Sequence, residues 1–120
     1  MSDEIDRIVS AQRKKNARAA ERRTRLLKEA RKEAERLANR LAEEDSSTRV
    51  VLLFGSVAAG SVRSERFDID LAIDADDYLQ LRSVVDESRF DVDLVDLRSV
   101  TERFREHIGN KGIVLYGSLA

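Results

Sequence analysis

Residues 3–44 contain neither glycine nor proline, and are rich in Ala, Leu, Glu, Lys and Arg. All five glycines fall between Gly55 and Gly117, and the chain has no proline. Good helix formers with no breaker over such a length predict one long helix, with Ser2 or Asp3 as its N-cap. Glu43-Glu-Asp-Ser-Ser-Thr48 is the expected break. The 120 residues therefore divide into a helix, 1–46, and a small domain, 47–120. Leu27, Ala30, Ala34, Leu37 and Leu41 recur at spacings of 3, 4, 3 and 4, a stripe that should pack on a sheet. Upstream, Arg13, Asn16 and Arg23 interrupt that phase. Ile5, Ile8 and Val9 are then left to be covered by a second copy of the chain or by a helical partner.

The second domain reads as a small mixed α/β (α+β) fold, with helices packed on one face of the sheet. Expected strands are Arg49–Phe54, Asp68–Ile73, Phe90–Asp96 and Ile113–Tyr116. Expected helices are Asp76–Glu87, capped by Asp74 or Asp76, and Val100–Ile108, opened by the capping box Ser99-Val-Thr-Glu102. Tyr78, Leu81 and Val85 should face inward on the first, and Val100, Phe104 and Ile108 on the second. Gly109-Asn-Lys-Gly112 should end the last helix.

Two of those strands alternate acid with aliphatic, Phe67-Asp-Ile-Asp-Leu-Ala-Ile73 and Phe90-Asp-Val-Asp-Leu-Val-Asp96. Successive strand side chains point to opposite faces. Asp68 and Asp70 then share one face, and Asp93 shares its face with Asp91. On neighbouring strands these carboxylates would repel one another and shift each other's proton affinity. A divalent cation relieves that repulsion, and Mg²⁺ takes carboxylates and phosphate oxygens as ligands. Just upstream, Val50-Val-Leu-Leu-Phe54 breaks at Gly55-Ser56. The turn offers free N–H groups and a hydroxyl to a phosphate, and Gly55 permits close approach. Arg63 and Arg66, between cradle and carboxylates, are further phosphate candidates, although exposed loop charge is the plainer account. His107 is a lone histidine on a helix, and Lys111 a weak phosphate or partner contact.

Gly55-Ser56-Val57-Ala58-Ala59-Gly60, Asp68-Ile69-Asp70-Leu71 and Val92-Asp93-Leu94-Val95 occur in that order. The set resembles the minimal nucleotidyltransferases of the DNA polymerase β superfamily, over roughly residues 48–117. The resemblance implies a polymerase β-like core. It makes Asp68, Asp70 and Asp93 catalytic ligands of a two-metal Mg²⁺ site, which Mn²⁺ would also suit, and it selects Asp93 over Asp91. Gly55 and Ser56 would bind the nucleotide, ATP by expectation. AMP would pass to a hydroxyl on a partner protein or RNA. Members often pair with a small all-helical (HEPN-type) protein as toxin–antitoxin modules. There the transferase is the antitoxin. Two departures stand out. Eleven residues separate Ser56 from Asp68, one more than is usual, and Phe67 occupies a position usually held by Ser. The rival reading is a catalytically weak binding subunit that neutralises a helical partner.

Composition excludes several other chemistries. There is no Cys and one His, so thiolate and multi-His zinc sites are impossible. The longest apolar run, Val50–Phe54, cannot span a membrane. The acidic N-terminus lacks a signal-peptide core, so the cytoplasm is the expected location. The net charge of −1 hides an asymmetry: ten Lys/Arg face two Glu between Arg13 and Lys32, leaving +8 there and −9 elsewhere. A solvated helix explains such a run, and so does an arm for RNA, DNA or an acidic surface.

Overall fold

The computed structural model describes residues 2–119. Helix α1 runs unbroken over Ser2–Glu44. The Ser2 side chain and the residue before it lie outside what is described, and Asp3 sits inside the first turn rather than capping it. The remaining elements are β1 (Val50–Phe54), α2 (Gly55–Ala59), β2 (Ile69–Asp74), α3 (Tyr78–Asp86), β3 (Val92–Asp96), α4 (Glu102–Lys111) and β4 (Ile113–Gly117).

The sheet order is β3-β2-β1-β4. β1 pairs antiparallel with both β2 and β4, and β2 pairs parallel with β3. A parallel pair needs a crossover, which α3 supplies. The mixed α/β architecture with a long leading helix is as expected. Burial explains how it closes. Ala30, Ala34, Leu37, Ala38 and Leu41 of α1 are buried with Val51, Leu53, Ile69, Leu71 and Ile73 of the sheet and Leu81, Val84 and Val85 of α3. The alanines let the helix approach closely, and the leucines fill the gaps. Leu37→Ala would cost about 3 kcal/mol for the lost apolar contacts and the cavity.

Helices do not keep to one face. Val50, Leu52 and Ala72 point the other way and are buried with Leu97 and with Ile108 of α4. Strand alternation makes this necessary, because Ala72 and Leu52 are apolar on the face opposite to α1. The helix caps also differ from expectation. Asp77, not Asp74 or Asp76, caps α3 by accepting from the Gln80 amide. Asp74 and Asp76 are engaged elsewhere, with Arg49 and Arg98. Thr101 rather than Ser99 caps α4, accepting from the Phe104 amide at 3.2 Å. The Ser99 hydroxyl instead donates to Asp96. Phe104 is 38% exposed rather than buried. From Asp3 to Arg18 every described side chain of α1 is exposed, including Ile5, Ile8 and Val9. Among the described residues no helix is long and apolar enough to cross a membrane.

Candidate active site

The site begins with strand register. Phe54 is the cross-strand partner of Asp70, and Asp70 is that of Asp93. One row across the sheet thus carries Phe54, Asp70 and Asp93 on the face shared with Ala72 and Leu52. Asp68 lies one alternation before Asp70, just outside β2. All three carboxylates of the sequence motif come to one edge of the sheet. Burial raises the Asp70 carboxyl above its ordinary value, and the charges of Asp93 and then Asp68 raise it further. Asp91 takes no part in that interaction. It precedes β3, is exposed, and contributes its backbone carbonyl to the Ile69 amide.

Gly55 opens α2 with φ of 75°, in the left-handed region. A Cβ on Gly55 would meet Asp70 Oδ2 at 2.2 Å. Only glycine therefore lets the carboxylate lie against the turn. Ser56 follows in the first turn, where backbone N–H groups have no intrahelical acceptor. The Gly55-Ser56 turn and the Asp70 carboxylate thus lie against each other.

The far end of α2 is held by a residue that the sequence shows only as part of the basic run. Arg31 of α1 donates from Nε to the Val57 carbonyl and from Nη2 to the Ala58 carbonyl, both at 3.1 Å. These carbonyls end a short helix and have few other partners, and a cation suits that end of the dipole. Gly60, in the left-handed region, completes the turn, with Arg31 Nη2 at 3.3 Å from where a Cβ would stand. The signal in the sequence is weak: Arg31 is the one basic position adjoining the apolar stripe at Ala30 and Ala34.

Phe67 stacks on Phe90 with centroids 6.2 Å apart and packs against the main core. Its aromatic ring serves packing. Arg66 and Asp68 line a shallow groove of about 560 Å³ together with Glu65, Phe67, Arg89, Phe90 and Asp91. Arg63 lies exposed in the preceding loop, and neither it nor Arg66 forms an ion pair among the described residues. Both remain available to a phosphate. Lys111 sits in the last turn of α4. A second feature absent from the sequence reading is aromatic. Phe104 meets Phe54 edge to face at 6.1 Å, and His107 stacks on Phe104 at 6.5 Å. Phe54 belongs to the row of Asp70, so this aromatic contact reaches it from α4. The i, i+3 spacing of Phe104 and His107 was the available clue.

Among the described residues no three acidic or His side chains converge into a ready-made metal cage. The donor chemistry nevertheless fits a hard divalent cation. The set is all oxygen, it repels itself, and Asp70 is held out of full hydration beside like charges.

A family profile described as Polymerase beta, Nucleotidyltransferase matches residues 35–118. Among solved structures, a toxin–antitoxin crystal structure with AMP-PNP shows 28% identity over 71% of this chain and 74% of that one, with a TM-score of 0.59. A tri-AMPylated Shewanella oneidensis HEPN toxin in complex with MNT antitoxin shows 26% identity, covers 72% of each chain and has a TM-score of 0.54. The toxin–antitoxin pair MntA–HepT shows 25% identity over 72% of this chain and 73% of that one, with a TM-score of 0.53. No curated protein shows significant similarity to the chain.

Proposed function

The chain belongs to the polymerase β nucleotidyltransferase family, and from that premise we propose that it transfers AMP from ATP to a hydroxyl on a helical partner protein, as an antitoxin-like enzyme. The observation that carries this reading is the row formed by Asp70 and Asp93 against the Gly55 turn. Ser56 and the first amides of α2 bind the phosphates. Asp68 and Asp70 take the phosphate side in this reading. Asp93, exposed at the row's outer end, stands where an entering hydroxyl would lose its proton. Mg²⁺ held by Asp68, Asp70 and Asp93 would neutralise phosphate charge and favour ionisation of the attacking hydroxyl. Arg66 lines the groove beside Asp68 and meets phosphate there, and Arg63, exposed in the same loop, is a second phosphate contact.

The choice of a protein acceptor draws on the neighbours, one of which is a complex with a modified HEPN toxin. The test is to incubate the purified protein with labelled ATP, Mg²⁺ and a helical HEPN-type protein. Label should appear on that protein and vanish with Asp93→Ala. Label on added RNA alone would replace the acceptor, and no pyrophosphate release with any nucleoside triphosphate would leave only a neutralising subunit.

A further inference from the structure

The most strongly charged surface of the molecule lies outside the site and outside the matched residues 35–118. Of the ten cations between Arg13 and Lys32, Arg22 pairs with Glu65, and Arg31 holds α2. The other eight form no ion pair among the described residues. They belong to an α1 that extends past the body, in a molecule measuring 67 × 29 × 18 Å. Charge changes sign along α1: the tip carries Asp3, Glu4 and Asp6 against Arg7, the stretch from Arg13 to Lys32 is strongly basic, and the rest of the chain is net acidic.

We propose that this stretch of α1, from Arg13 to Lys28, is a docking surface for the backbone of duplex DNA. The proposal stands apart from the transferase reading. Three observations select the occupant. First, no large apolar side chain occurs between Arg13 and Arg25. A protein interface needs an apolar or aromatic centre, whereas a phosphate backbone needs only charge. Second, the stretch has no aromatic residue, and single-stranded nucleic acid is held largely by stacking on aromatic rings. Third, it is a continuous helix, with every side chain from Arg13 to Arg18 exposed and Arg25 and Lys28 exposed beyond them, while Leu26 and Leu27 are half-buried, Leu27 against the core of the body. A helix about 10–12 Å across fits the roughly 12 Å major groove of B-DNA. The major groove of A-form RNA is too narrow to admit it.

Arg13 to Lys28 spans about 22 Å at 1.5 Å per residue, or about six base pairs. The exposed cations Arg13, Lys14, Lys15, Arg18, Arg25 and Lys28 point in several directions around the rod and reach phosphates on both walls of the groove. If about five phosphates are neutralised, log affinity should fall with log salt with a slope of about −4.5, so that going from about 50 to 200 mM salt weakens binding about 500-fold.

The test is fluorescence anisotropy of the full chain with a labelled mixed-sequence DNA duplex and with the RNA duplex of the same sequence, across a salt series. The comparison protein carries Lys14→Gln, Lys15→Gln and Arg18→Gln. These residues are exposed and remote from the core, and circular dichroism confirms that the helix persists. The expected result is DNA binding tighter than RNA binding. The variant's salt slope should be shallower by about 2.7, the share of three phosphate contacts. Equal DNA affinity and slope in the variant would overturn the proposal. So would RNA bound as tightly as DNA, displacement of DNA by polyglutamate at equal charge, or no binding at low salt.

Discussion

Asp70 should cost the ligand-free protein stability, and Asp70→Asn should return it. Neighbouring strands lie about 4.8 Å apart, and Asp70 and Asp93 are direct cross-strand partners. Two unit charges about 5 Å apart repel by about 3 kcal/mol at an effective dielectric of 20 and by about 0.8 kcal/mol in bulk water. Asp93 is exposed and Asp70 only partly buried, so the lower end applies, about 1 kcal/mol. Asn keeps the shape against Gly55 and loses the charge. In EDTA at neutral pH the melting temperature of Asp70→Asn should therefore rise by about 4 °C. The pH dependence has a definite sign. The folded Asp70 carboxyl is raised above its ordinary 3.8, so the folded state binds the proton more tightly than the unfolded one. Its penalty is then absent below the unfolded value and develops as pH rises through the folded value. The advantage of Asn should disappear in acid. With Mg²⁺ and ATP the order should reverse, since only the native protein gains stability from the ligand. A variant that melts at or below the native temperature in EDTA at neutral pH would refute the reasoning.

Gly55→Ala combines a left-handed backbone with a Cβ 2.2 Å from Asp70 Oδ2. It should cost about 1–3 kcal/mol in denaturant unfolding and abolish Mg²⁺-dependent nucleotide binding by calorimetry. Arg31→Ala removes the guanidinium donor from the Val57 and Ala58 carbonyls, leaving Val57 only the Gly60 amide. It should lower stability by about 1 kcal/mol and weaken ATP binding several-fold, with Arg31→Lys recovering part of the affinity; unchanged affinity would mean that the turn is rigid without it. Asp93→Ala should lower the transfer rate by about 10²-fold or more, while Asp91→Ala should change it little. A reversed order in steady-state kinetics would move the third carboxylate by one strand repeat.

The long helix, the strands and the ordered Gly-Ser, Asp-x-Asp, Asp set were all legible locally. A breaker-free run of helix formers and period-two alternation are written in single segments, so no tertiary knowledge is needed to see them. The family followed from the order of those motifs. Cap identities were not legible, because Asp74, Asp76 and Ser99 all suit caps by type, and distant partners claimed them. Asp74 and Asp76 went to Arg49 and Arg98, from segments 25 and 24 residues from Asp74. The sequence showed that Ala72 and Leu52 were apolar, but only the assembled sheet showed that α4 must cross to cover them. Arg31 and Phe104 illustrate the same boundary. Their side chains serve the turn and the carboxylate row through contacts 26 and 50 residues away in the chain. Local pattern determines which elements form and which face each residue takes. Which groups meet across elements depends on how those faces pack, and that was decided only in three dimensions.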